Sequence, residues 1–324
     1  MSMSNAVLRT PPERAHVVVV GPVRNCGRTI VAEIGRLREV FASVFASVSF
    51  LLVESDSTDD SLDKLRQLEL QIPGFAFLSM GTLRERYPIR CDRIAACRNL
   101  YIERIANDPR YAHIDYVLGA DLDGVNEKLD ADAIRSCWRT DVDWSVMTAN
   151  QRLGYYDIWA LRHPAWSPVD CWQAYQRIVD VTGPNQALEM CVTSKQVRIP
   201  PDAPPIEVES AFAGFAVYRR DAFVLGRYVG VDEHGKEVNE HIAFYAALRQ
   251  HGHRVYINPA MINADYTEHT YYKTRVGHLR KRLMLTLRET ADRLRCRDKL
   301  EGAVDALKRL GSWTLQHADL DKPR

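Results

Sequence analysis

Apolar runs without polar alternation, spaced by stretches whose apolar residues recur every three or four positions, predict strands alternating with helices up to residue 124. His16 to Val20 reads as a buried strand, 21–27 as a turn, and Arg28 to about Phe45 as an amphipathic helix with Ile30, Ile34, Leu37 and Phe41 on one stripe. Ser49 to Val53 is a second buried strand, and the polar run Glu54 to Ser61 caps a helix continuing to about Leu70. A short strand around Phe75 to Leu78, an Arg-rich loop, a helix over Ile94 to Ile105 and a strand from Tyr116 to Asp121 complete this half. Such runs leave no polar face, which predicts a mostly parallel sheet of α/β class with helices on both sides.

The second half is less regular. Trp144 to Thr148 and Ala213 to Tyr218 read as strands, separated by an aromatic-rich stretch from Tyr155 to about Tyr175. The Pro-rich segment Ile199 to Ile206 is a stiff loop rather than a domain boundary, since a strand pattern resumes after it. Asn239 to Gln250 predicts a helix and Arg254 to Ile257 a strand, and from about Lys273 to Leu310 the chain becomes helical and basic. The expected plan is a loose tail over 1–15, one α/β domain over 16–270 with halves 16–124 and 125–270, and a C-terminal helical region over 271–324.

Composition narrows the function classes. With 43 basic against 42 acidic residues the net charge is +1, so no global field recruits nucleic acid, and any polyanion site must be local. Seven scattered cysteines without a C-x-x-C pair argue against a disulfide framework and a zinc site, and make a reducing cytoplasm the natural home. The first residues lack an apolar signal core, and the apolar stretch from Val40 to Val53 contains serines and is too short to span a bilayer.

The chemistry concentrates at the ends of the predicted strands. In the segment Tyr116 to Gly124, alternation along an extended chain points Asp121 and Asp123 the same way, a pair of hard oxygen donors suited to Mn²⁺ or Mg²⁺ on a diphosphate. Taken alone, the pair reads first as a strand followed by an Asp-Gly turn. Residues 21–28 and 54–61 also follow strands, where ligands bind in open α/β sheets. No G-x-G-x-x-G follows the first strand and no G-x-x-x-x-G-K-[ST] occurs, so dehydrogenase and P-loop NTPase readings lose support.

In order, these motifs resemble nucleotide-sugar-dependent glycosyltransferases of the GT-A fold, a Rossmann-like α/β architecture, especially the family 2-like group. Val53-Glu54-Ser55-Asp56-Ser57-Thr58-Asp59 matches that family's V-D-D-x-S-x-D with Glu for the first Asp, and Ala96-Cys97-Arg98-Asn99 matches the A-R-N helix that precedes its D-x-D strand. Asn25-Cys26-Gly27-Arg28-Thr29, Glu54 to Asp59 and Arg93-Ile94-Ala95 with Arg98-Asn99 look similar to capsule-associated mannosyltransferases and their bacterial relatives. The resemblance covers about residues 16 to 265 and implies a GDP- or UDP-hexose donor, with mannose as the subfamily indication.

On this resemblance the donor nucleotide would meet Arg24, Asn25, Glu54, Ser55, Arg93, Arg98 and Asp121, with Asp121, Asp123 and His269 around a divalent cation. Arginine forks suit a diphosphate, although Arg93 and Arg98 also fit an ordinary ion-paired helix flank. For an inverting enzyme the base is Glu240 or His241, at the head of a late helix; a retaining enzyme needs neither. Tyr155, Tyr156, Asp157, Trp159 and Arg162 combine aromatic faces with polar groups as a sugar-binding cluster would, and core packing is the alternative. The acceptor implied is a saccharide or lipid-linked molecule in envelope or capsule polysaccharide synthesis. The basic C-terminal helix packs on the core or, second, lies on an anionic membrane at its inner face. The competing functions are a non-catalytic nucleotide- or carbohydrate-binding protein of the same fold and a sugar-1-phosphate nucleotidyltransferase, whose Gly-rich, Arg-containing first loop is missing here.

Overall fold

Valines 17 to 20 send alternate side chains to opposite faces of a sheet, and each face has its own helical cover. In the computed structural model, which describes residues 9–267, 269 and 270, the first strand is β1 (His16–Val23), followed by α1 (Ile30–Ala42), β2 (Ser47–Glu54), α2 (Ser61–Gln71), β3 (Phe75–Ser79), α3 (Arg90–Asn107) and β4 (Tyr116–Ala120). Then come α4 (Ala131–Arg135), β5 (Val146–Gln151), α5 (Cys171–Thr182), α6 (Pro184–Cys191), β6 (Ile206–Val208), β7 (Phe215–Arg219), α7 (Arg220–Phe223), α8 (His241–Gln250) and β8 (Val255–Ala264). Val17, Val19, Phe50 and Leu52 pack with Ile30, Ile34, Leu37 and Phe41 of α1 and Leu65 and Leu68 of α2. Val18, Val20, Leu51 and Val53 pack with Tyr101 and Ile105 of α3 and Phe244 and Leu248 of α8. Each such fully buried aliphatic side chain contributes about 1.5–3 kcal/mol relative to exposure.

The sheet order is β3-β2-β1-β4-β7-β5-β8-β6. The first four strands pair in parallel, as expected. The second half is mixed: β7 is antiparallel to both β4 and β5, and β6 is antiparallel to β8, while β5 and β8 are parallel. Antiparallel neighbours need no covering crossover. The long excursion between β5 and β7 therefore enters the sheet from the edge where β4 ends, with Phe215 opposite Ala120.

Two helices and a packed tail segment depart from the expectations. α5 and α6 lie in and beyond the aromatic-rich stretch; Asp170 caps α5 by accepting from the Trp172 and Gln173 amides, and Gly183, at φ 79, turns the chain into α6 with Pro184 at its start. Residues 10–15, read as part of a loose tail, are instead held: Thr10 donates to Asp115, its carbonyl accepts from Tyr116 and Trp138, and Ala15 is buried. The chain divides into two compact units, Met1–Asp265 and Tyr266–Arg324. The expected helical region over 271–324 lies outside the described residues. No helix among the described residues is long and apolar enough to cross a membrane.

Candidate active site

The chain runs from β1 outward to β2 and β3, then returns to place β4 on the other side of β1, so the sheet reverses direction between β1 and β4. Ligands of open α/β sheets bind beyond the strand ends at such a switch point. β1 and β4 approach closely because residue 21 is glycine: a Cβ there would lie 2.4 Å from the Ala120 carbonyl oxygen. The same edge receives the loops after β2 and β5, the turn before β7 and, by the α3–β2 packing, the middle of α3.

Loops 24–29 and 54–61 are stitched together. The Asn25 amide donates to Ser57 and its side-chain oxygen accepts from the Thr58 amide; the Gly27 amide donates to Asp59, and the Cys26 amide to Ser61. Glu54 is buried, accepting from the Ser57 amide at 3.0 Å and the Ser79 hydroxyl at 2.6 Å. Ser55 is buried beside Cys97, which donates to its hydroxyl. Asp56, at φ 56, accepts from the Leu83 and Arg84 amides and so ties down the loop before α3. Arg93 donates to the Tyr87 and Pro88 carbonyls of that loop, while Arg24 is exposed at the mouth. The polar motif after β2 thus builds the wall of the crevice, and a carboxylate such as Glu54 retains lone pairs for a ligand.

Beyond β4, Asp123 is exposed and Asp121 half-buried. Arg98 of α3 donates to Asp121 Oδ1 at 3.0 Å, its Nε lies 3.4 Å from Glu240 Oε1, and it donates to the Tyr101 hydroxyl at 3.2 Å. The guanidinium lies over the rings of Phe212 and Tyr228, 5.0 and 5.4 Å from their centroids. Burial pushes the Asp121 carboxyl up to about 7 against the opposing pull of Arg98, with the charges of Asp123, Glu240 and Asp157 adding to the rise. Glu240 and His241 are both buried at the head of α8, where Asn239 accepts from the His241 amide. Burial and the Arg98 charge hold His241 well below the usual imidazole range, and its ring stacks on Phe212 at 4.2 Å.

Several residues of this edge were not singled out from the sequence. Glu33 of α1 is 6% exposed, and neither of its oxygens meets a donor at hydrogen-bonding geometry. Burial, with the charge of Asp123 adding, pushes it up to about 7. A signal was present, because Glu33 falls between Ile30 and Ile34 on the core-facing stripe. The turn Phe212–Ala213–Gly214 is the second case: Ala213 has φ 62, and Gly214 has φ 82 where a Cβ would meet Val125. It is fixed by Asp157, which accepts from the Ala213 amide, and by Asn126, Gln151 and Asn263, which donate to the Ala213 or Gly214 carbonyls.

The aromatic cluster separates into two groups. Asp157 lies close enough to Asp121 for its charge to be felt there, and the Asp121 charge in turn is felt at the Tyr156 hydroxyl. Tyr155 is buried in the core, while Trp159 and Arg162 both donate to Asp170, the cap of α5. His269 is exposed and belongs to the second unit.

No three His, Cys, Asp or Glu side chains among the described residues converge as a metal cluster. Mn²⁺ and Mg²⁺ are commonly held by one or two carboxylates with water and substrate phosphates completing the shell, and Asp121 and Asp123 fit that mode. The carboxylates whose charges meet at Asp121, set against Arg98, fit a cation as well.

Fold and site together define an α/β protein whose acidic candidate site lies at a topological switch point. No protein-family model matches the chain, and no curated protein matches it. Among solved structures it is similar to the mannosyltransferase PcManGT from Pyrobaculum calidifontis in complex with GDP-Man and Mn²⁺, at 15% identity and TM-score 0.43, over 83% of this chain and 63% of that one. It is also similar to glucosyl-3-phosphoglycerate synthase from Mycobacterium tuberculosis in complex with UDP, at 13% identity and TM-score 0.37, over 77% and 69% of the two chains. A third is S. aureus TarS 1-349, at 12% identity and TM-score 0.42, over 82% and 64%. These similarities give no residue a role, so the roles below are argued from the chain's own chemistry.

Proposed function

We propose that the protein is a metal-dependent glycosyltransferase that moves a hexose from a nucleotide diphosphate sugar to a saccharide or glycolipid acceptor. What carries this reading is the convergence at one switch-point edge of Asp121 and Asp123, the loop bearing Glu54, and Glu240, which shares Arg98 with Asp121. Glu54 and Ser55 line the nucleoside side, Arg24, Asn25 and Arg93 the entrance for the diphosphate, and Tyr156 and Asp157 the sugar side. Asp121 and Asp123 would hold Mn²⁺ or Mg²⁺. A cation there supplies charge neutralisation for the departing nucleoside diphosphate.

Glu240 is the general base of an inverting reaction, with His241 the alternative; a retaining route would use neither. The burial and Arg98 charge that keep His241 neutral also disfavour protonating it, and its ring is covered by Phe212, which makes it the weaker candidate. Mannose as the sugar and polysaccharide synthesis as the setting follow from the motif resemblance, and the cytoplasm as the compartment from the scattered cysteines.

The test is thermal stabilisation by GDP, UDP, CMP and their sugar conjugates, with and without Mn²⁺, since a ligand that binds the native state raises the midpoint. A Mn²⁺-dependent rise with one nucleotide is expected and identifies the donor class. A flat response to every nucleotide would refute the donor site. Donor binding without turnover would instead favour a non-catalytic binding protein.

A further inference from the structure

Arg98 touches both sides of the site through one guanidinium. It is 3% exposed, lies over two aromatic rings, and contacts two carboxylates far apart in sequence: Asp121 at the end of β4 and Glu240 at the head of α8. Buried ions in such a position must be paired, so a change at one carboxylate is felt by the other through the shared cation. The planar fork makes this sharing possible, whereas a lysine ammonium offers a point charge on a flexible stem.

We infer that Arg98 is a positioning residue that links the cation side of the site to its acceptor side, dividing its guanidinium between Asp121 and Glu240 so that the occupancy of one carboxylate sets the hold on the other. This rests on the glycosyltransferase reading and deepens it. With Glu240 present, Arg98 is shared and Asp121 is freer to bind a cation. When Glu240 is neutral, Arg98 is left to Asp121, and the cation competes with a full positive charge.

The test titrates the purified full-length chain with Mn²⁺, counting the free ion by its electron paramagnetic resonance signal, without donor or acceptor. Glu240→Gln, which keeps the side-chain volume, should weaken Mn²⁺ binding by about fivefold or more. Arg98→Lys preserves the net charge, so a direct through-space effect of Glu240 on the ion would survive it unchanged. A link through the fork would not, and Glu240→Gln should then cost less than about twofold in the Arg98→Lys background. Should Arg98→Lys fail to fold, Arg98→Gln, which removes the shared cation altogether, serves as the second background with the same expectation.

Equal losses in the two backgrounds, or unchanged Mn²⁺ affinity in Glu240→Gln alone, would overturn the link while leaving the donor site standing. Absence of Mn²⁺ binding by the wild-type chain would refute the metal site itself and the link with it.

Discussion

Replacing Glu33 by Gln should stabilise the protein at alkaline pH and leave it little changed under mild acid. Glu33 is 6% exposed and is raised from its ordinary value of 4.5 to about 7 by burial and by Asp123, against the weaker pull of Arg36 and the Gly124 amide. Between pH 4.5 and 7 the native state keeps a proton that the unfolded chain has lost, so stability falls as pH rises through that window. At about 1.4 kcal/mol per unit, the penalty grows by roughly 2.5 kcal/mol between pH 5 and pH 8. Glutamine has nearly the same shape and no charge, and so escapes it. Urea unfolding of wild type and Glu33→Gln at the two pH values, read as a difference of differences, isolates this carboxyl from groups that titrate alike in both proteins. A variant whose advantage over wild type is the same at pH 5 and pH 8, within about 0.5 kcal/mol, would refute the assignment of a strained buried acid. Saturating Mn²⁺ at pH 8 should narrow the gap, because a cation beside Asp123 relieves the field that Glu33 experiences.

Asp123→Ala should abolish Mn²⁺-dependent nucleotide binding and transfer while leaving circular dichroism unchanged and the metal-free fold no less stable, since its side chain is exposed and its charge weighs on Glu33; undiminished turnover would remove Asp123 from the site. Glu240→Gln should lower kcat by about 10²-fold or more if Glu240 is the general base, and a near-normal rate would point to His241 or a retaining route. Gly21→Ala would place a Cβ 2.4 Å from the Ala120 carbonyl and force β1 from β4. It should cost about 1–3 kcal/mol in denaturant unfolding and weaken donor binding as the crevice shifts; an unperturbed variant would show that the strands tolerate the separation.

The alternation of strands and helices up to β4 was legible because it depends on local patterning: apolar runs of strand length, a 3.6-residue stripe in α1, and polar caps between them. The place of Asp121 and Asp123 at the end of β4 was legible for the same reason, but the strand stops at Ala120, so alternation does not set the directions of the two carboxylates. α5 and α6 were missed because Trp159 and Arg162 read as part of a sugar-binding surface, whereas both secure Asp170, the α5 cap. The antiparallel insertion of β7 was also hidden, because strand direction depends on which edge a long excursion returns to.

By itself, then, the sequence determined the parallel half of the sheet and the place of its acidic pair, whose signals lie within a few residues of one another. Only the tertiary structure decided what those residues meet. It brought Arg98 between Asp121 and Glu240, residues separated by more than a hundred positions, and closed the slot with Phe212 and Tyr228. It also set Glu33 where the charge of Asp123 reaches it. Desolvation and charge pairing act through space, so they cannot be read from spacing along the chain.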